Sequence, residues 1–360
     1  MGDHKIKIGI SLGDINGVGV ELILKTFEDP QMFDICIPII YGSSKVLSYY
    51  KKSLDMESVV FQQIKNPDEA VTKKLNVINV WDEEIKIEPG TATTTSATYS
   101  VKALEHSMND LSSKKIDALV TAPIDKSQLI SAGFKFPGHT EYIASKSKGK
   151  PLMLMIHENI KVALVTGHIG VNEITKQLNT ELILEKLSTL HHSLRMDFSI
   201  SKPKIAVLGL NPHAGDQGKF GKEEEEIIQP ALSKAKQQNM LVFGPFPADG
   251  FFASGNFQKY DAILAMYHDQ GLIPFKTISG MNGVNYTAGL DVIRTSPDHG
   301  PAFDIVGKNQ ASEASFRQAV YSAIDIFRER KKNAELLKNP LKKLSNEIIE
   351  GKEDESITDI

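Results

Sequence analysis

The sequence predicts an α/β fold around a largely parallel sheet that is covered on both faces. Two features lead there. Short apolar runs alternate with longer amphipathic segments along most of the chain. Those runs are close to continuously apolar, not polar on every second residue, which means both faces of each strand are buried.

KIKIGISL (5–12) is the first expected strand, followed by Gly13–Gly19 and a helix at VELILKTF (20–27). ICIPIIYG (35–42) precedes a helical SSKVLSYYKK. The hydroxyl-rich TATTTSATYS (91–100) precedes the helix VKALEHSMNDL, where capping is a better use for it than catalysis. KIDALVTAPI (115–124) leads into DKSQLISAG, and PLMLMIHE with KVALVTGH (151–168) leads into NEITKQLN. KIAVLGLNPH (204–213) runs through glycines into KEEEEIIQPALSKAKQQ, whose Glu223–Glu226 suit the first turn of a helix through its dipole. YDAILAMYH (260–268) is the last clear buried strand, and the stretch from 275 to 300 reads as Gly-rich and weakly structured. The charged end predicts a helix to about residue 335, a marginal helix after it, and ten mobile residues. No internal repeat is visible.

A chain of 360 residues accommodates two domains or one large α/β unit. Apolar content of 41% and charged content of 24% are those of a globular protein. A formal charge of −4 without a basic stripe argues against nucleic-acid or anionic-membrane partners. Cys36 stands alone, so no internal disulfide can form. MGDHKIKIGISLG has neither a signal-peptide core nor the Ser or Thr at position 6 that myristoylation needs. No apolar run approaches the ~18 residues that span a bilayer, and a cytoplasmic protein is expected.

Three strands end in histidine. KVALVTG-His168, KIAVLGLNP-His213 and DAILAMY-His268 each place an imidazole just past the carboxyl end of an expected buried strand. In open α/β sheets those ends line the ligand crevice. Three converging imidazoles would suit a divalent metal with an open position for substrate. A single such histidine is more often a hydrogen-bonded structural residue, and with three the two readings stand about level. AGDQGKFG after His213 would let backbone amides approach an anion, although a flexible connection also accounts for its glycines.

His139 and Thr140 open a helical pattern after FKFPG, so an anion could sit at that helix N-terminus; Thr140 as a simple N-cap is the plain alternative. Lys276, Asn285 and Arg294 recur every nine residues, and a cation, an amide and a guanidinium are what a phosphate site needs. GDINGVG (13–19) matches neither GxGxxG nor the Walker phosphate loop and reads as a tight βα turn.

Taken together, SLGDINGVGVEL, ALVTAPIDK, GHTEYIA, GLNPHAGDQGKFGKEE, GPFPADGFF, YDAILAMYHDQGLIPFK and VNYTAGLDVIRTSPDHGPAFDIVG resemble the 4-hydroxythreonine-4-phosphate dehydrogenase family of pyridoxal phosphate biosynthesis. The blocks run in order over about residues 7–310. The resemblance implies an isocitrate/isopropylmalate-dehydrogenase-like fold: two α/β/α domains with a cleft between them, in a homodimer whose active site is shared between subunits. Residues 1–135 with 281–335 would form one domain and 136–280 the other, followed by a charged tail at 336–360.

By the same resemblance, His168, His213 and His268 would bind a divalent metal (Zn, Co, Ni, Mn or Mg), with His268 coming from the partner. His139, Thr140, Lys276, Asn285 and Arg294 would hold a phosphorylated substrate. Asp249 and Asp269 would be the proton-transfer candidates, alongside Lys276. The implied reaction is NAD- or NADP-dependent oxidation of 4-phosphooxy-L-threonine at C3, then decarboxylation to 3-amino-2-oxopropyl phosphate. No residue can be assigned to the nicotinamide cofactor.

Two departures bear on substrate choice: Thr166-Gly167-His168-Ile169-Gly170-Val171 replaces the family's usual Thr-Thr-His-Ile/Leu-Pro-Leu, and GDINGVGVE replaces GDPAGIGPE. Threonate or erythronate 4-phosphate is therefore the alternative substrate. A metal-dependent phosphosugar lyase or aldolase is a more distant reading, and a non-catalytic phosphate-binding module the most distant.

Overall fold

The computed structural model describes residues 5–338; the expectations for the end of the tail lie outside the described residues. Twelve strands form one sheet: β1 (Lys7–Ser11), β2 (Ile37–Gly42), β3 (Phe61–Ile64), β4 (Leu75–Asn79), β5 (Ala118–Thr121), β6 (Gly149–His157), β7 (Ile160–Leu164), β8 (Lys204–Leu208), β9 (Leu241–Phe246), β10 (Ala262–Ala265), β11 (Val284–Leu290) and β12 (Arg294–Pro297). Their order across the sheet is β3-β4-β2-β1-β5-β12-β11-β6-β7-β10-β8-β9. The α/β class holds. The sheet is mixed, however: both wings are parallel, while β12–β11, β11–β6 and β6–β7 pair antiparallel at the centre.

Successive side chains on a strand point to opposite faces, so alternation sorts the core. Ile8, Ile10, Ala118, Val120, Leu154, Ala163, Leu264, Val284 and Tyr286 belong to one continuous hydrophobic cluster that covers one face of both wings. Their strand neighbours divide between two separate clusters on the opposite face. Ile39, Tyr41 and Leu119 pack with the helices Thr94–Ser112 and His139–Lys146. Val162, Leu164, Ile263 and Ala265 pack with the helix His268–Ser279. One face therefore has a single core and the other a split one. We propose that the two domains expected from the sequence are these wings, joined through β11 and β12.

Several expectations change. The 275–300 stretch is ordered: it holds the last turn of the helix His268–Ser279 and the strands β11 and β12. These two strands carry Asn285, Thr287, Arg294 and Ser296 on the split face, so they lack the apolar run that marks a buried strand. The 260–268 segment keeps its strand only to Ala265, and His268 begins a helix. Its Gln270 amide accepts from Met266 N at 2.7 Å and donates to Gly209 O at 2.6 Å, which locks the helix start to β10 and the end of β8. Strands β3, β4 and β9 went unexpected, because two of them are the sheet's edges and carry polar or exposed residues. The TATTTSATYS hydroxyls do cap: Thr93 and Ser96 form a capping box, and the helix starts at Thr94, inside that stretch. The final helix runs Ala314–Lys338.

Gly271 lets the helix His268–Ser279 lie close to the sheet, since a Cβ there would meet Val162 Cγ1 at 2.8 Å and Leu164 Cδ2 at 2.9 Å. Gly271→Val should therefore destabilise the fold by about 1–3 kcal/mol through overpacking. Urea unfolding with an unchanged midpoint would contradict that close approach.

Candidate active site

The split between the two cores on one sheet face is a cleft. Its floor is the split face of four neighbouring strands: Thr121 (β5), Arg294 and Ser296 (β12), Asn285 (β11), and Met153 and Met155 (β6). One wall carries Lys126, His139, Thr140 and Glu141; the other carries His268, Leu272 and Lys276; His168 and the Asp298–His299 turn complete the lining.

Arg294 is the buried charge of this site, at 4% exposure. Its Nε and Nη2 donate to Thr121 Oγ1 at 3.1 and 2.7 Å, and Nη1 approaches Thr287 Oγ1 at 3.4 Å. Nη2 also lies 3.3 Å from His139 Nδ1. Its hydrogen-bond partners among the described residues are uncharged, and burial lowers the guanidinium's pKa to about 10. An arginine can only donate, so His139 Nδ1 accepts and the ring proton sits on Nε2. Burial first, then Arg294 and Lys126, holds the His139 pKa well below the usual histidine value, which keeps the ring neutral. His139 Nε2 is buried without a hydrogen-bond partner, and so is Asn285 Oδ1.

The helix His139–Lys146 starts after Gly138 with no side-chain cap, so its first amides are left for solvent or a ligand. Thr140 is inside that helix, which rules out the N-cap alternative. Lys276 Nζ reaches Asp298 Oδ1 at 3.3 Å and Asp298 O at 3.2 Å. Burial raises the Asp298 pKa, with Lys276 acting against it.

The expected metal ligands divide. His168 and His268 follow β7 and β10, which are adjacent and parallel, so their rings come within 5.2 Å, centroid to centroid, inside one chain. The resemblance implied His268 from a partner subunit; within this chain it lies beside His168. Burial, then Lys126 and His268, lowers the His168 pKa and favours the neutral, ligating form. His268 Nδ1 lies 2.7 Å from Asp269 Oδ1, an arrangement that puts the proton on Nδ1 and frees Nε2.

His213 does not join them. It follows β8 on the far side of β10 and lines a neighbouring groove with Asp249, Asp269, Phe252 and Ile273. Its loop turns away through left-handed residues, with φ of 53° at His213, 51° at Ala214 and 41° at Asp216. Glu224 clamps the loop by accepting from Leu210 N at 2.7 Å and Asn211 N at 2.8 Å. This buried carboxylate does more than complement a helix dipole, the role expected for it. Among the described residues no three His, Cys, Asp or Glu side chains converge as a metal site. Two imidazoles with one fixed tautomer fit part of a divalent metal's coordination.

Sequence reasoning passed over Thr121, Lys126, Glu141, Asp298 and His299. All five lie in blocks that carried the resemblance, ALVTAPIDK, GHTEYIA and TSPDHG, but none had a spacing that set it apart.

The family described as "Pyridoxal phosphate biosynthetic protein PdxA" matches residues 34–323. A 4-hydroxythreonine-4-phosphate dehydrogenase of Bacteroides thetaiotaomicron is 50% identical over 345 residues, 95% of this chain and 94% of that protein. One from Sulfurihydrogenibium is 39% identical, over 91% of this chain and all of that protein, 100%. A crystal structure of 4-hydroxythreonine-4-phosphate dehydrogenase from Klebsiella pneumoniae superposes with a TM-score of 0.80 at 31% identity, covering 91% of this chain and 100% of that one. With the match spanning most of its length and half its residues shared with a full-length relative, the chain belongs to the PdxA family of pyridoxal phosphate biosynthetic proteins.

Proposed function

We propose that this chain is a 4-hydroxythreonine-4-phosphate dehydrogenase: it oxidises the C3 hydroxyl of 4-phosphooxy-L-threonine with NAD or NADP and a divalent metal. The β-keto acid formed then loses CO2 to leave 3-amino-2-oxopropyl phosphate. The observation that carries this reading is the buried Arg294 guanidinium, hydrogen-bonded only to uncharged groups and with no carboxylate partner among the described residues. A desolvated cation in that setting is stabilised by an anion, and its fork can grip two phosphate oxygens. The His139 Nε2–H, the Asn285 amide, Thr140 and the uncapped helix amides would supply the remaining contacts.

A divalent cation of the Zn, Co, Ni or Mn type, with Mg less favoured, would lower the pKa of the substrate hydroxyl when bound by His168 and His268. Asp269 orients His268. Lys276, beside Asp298, is the proton-transfer group we assign within the cleft. In the homodimer that this reading includes, the partner's His213 brings the third imidazole, along with the groove that holds Asp249.

Purified protein with a divalent metal should form NADH or NADPH from 4-phosphooxy-L-threonine, lose the activity to a chelator and regain it with Zn or Co. Turnover of threonate or erythronate 4-phosphate alone would overturn the substrate. Product formation without nicotinamide would point to a lyase. Full activity after chelation would sink the metal.

A further inference from the structure

The substrate of the proposed reaction carries a cation next to its reacting carbon, and the cleft is poor in groups to receive one. Lys126, Lys276, Arg294 and the histidines His139, His168, His268 and His299 all line it. Among the described residues only two carboxylates do so, Glu141 and Asp298. Asp298 already pairs with Lys276 at 3.3 Å. Glu141 has neither a hydrogen bond nor an ion pair among the described residues. It lies in the first turn of the helix His139–Lys146, with Oε2 3.4 Å from where a Cβ on Gly138 would lie.

Burial lowers the pKa of Arg294 in the phosphate cradle, and the Glu141 carboxylate acts against it. Among the described residues it does not form part of a three-ligand metal cluster with the histidines. An unpaired carboxylate lining the same cleft as the anion cradle and the imidazole pair matches a substrate that carries a phosphate, a reacting hydroxyl and an ammonium together.

We propose that Glu141 is the specificity residue that receives the substrate's α-ammonium, so that it favours an amino acid phosphate over the corresponding hydroxy acid phosphate. This rests on the reading under Proposed function. A hydroxyl in place of the ammonium would leave the carboxylate with a weaker, neutral hydrogen bond.

The test compares wild-type, Glu141→Gln and Glu141→Asp holoenzymes on 4-phosphooxy-L-threonine and on threonate 4-phosphate. Gln keeps the length and helix compatibility of Glu, and thermal unfolding checks that the variants fold. The expected result for Glu141→Gln is a KM for the amino acid phosphate raised by roughly tenfold or more, since charge-assisted bonds are about twice as strong as neutral ones. The kcat should change far less, the KM for threonate 4-phosphate should not rise, and Glu141→Asp should recover part of the discrimination. Equal KM increases for both substrates, or no change for either, would overturn the inference and leave the reaction standing. A wild type inactive on the amino acid phosphate would overturn the reaction, and this inference with it.

Discussion

Arg294→Met is expected to fold normally and to lose about a thousandfold in kcat/KM, since truncating a buried charge that grips a ligand charge costs on the order of 2–5 kcal/mol or more. The direction of the stability change separates a binding role from a structural one. The guanidinium is fully desolvated and has only hydroxyl and imidazole partners, and that desolvation lowers its pKa to about 10. Replacing such a cation with an apolar side chain of similar length removes a desolvation cost, so the apo protein should be as stable or more stable. Arg294→Lys keeps the charge but not the fork, and should recover only part of the activity. A Met variant within tenfold of wild type in kcat/KM would end the phosphate assignment. One that is strongly destabilised would make Arg294 a structural residue.

The second large effect concerns the imidazoles. His168→Ala, His213→Ala and His268→Ala should each abolish metal-dependent turnover with little loss of stability, because none of the three is a core side chain. Mixing the inactive variants then tests how the site is built. His168 and His268 come from one chain, 5.2 Å apart, while His213 lines another groove. If the partner's His213 completes each site, a heterodimer of His168→Ala and His213→Ala has one intact site. Random reassociation should then restore about a quarter of wild-type activity in a two-fold dimer. Mixing His168→Ala with His268→Ala should restore none, since every site keeps one defect. Recovery in the second mixture but not the first would instead place His268 across the interface. Asp269→Asn should weaken metal binding by roughly 10–100-fold through the His268 tautomer.

How much could be read without the fold varied with the residue. His168, His213 and His268 stood out because each follows an apolar run, and strand ends line the crevice of an open α/β sheet whatever the details. Arg294 and Asn285 were legible only as residue types. The strands that carry them alternate polar and apolar side chains, and so lack the continuous hydrophobicity that marked β1, β2, β5 and β10. Glu141 carried no signal at all, since its meaning depends on which carboxylates elsewhere are already paired.

The order of the apolar runs was enough to determine the α/β class, and the motif blocks were enough to determine the family. Those properties depend on local pattern, which the linear chain contains. The tertiary structure decided which strands became neighbours, and with that which side chains share a surface. By placing β12 and β11 between β5 and β6, it put Arg294, Asn285 and Thr121 on one cleft floor. By pairing β10 with β7, it brought His268 to His168, and the left-handed turn held by Glu224 kept His213 in the adjoining groove. Contacts between residues more than a hundred positions apart follow from sheet order, and no spacing along the chain encodes that order.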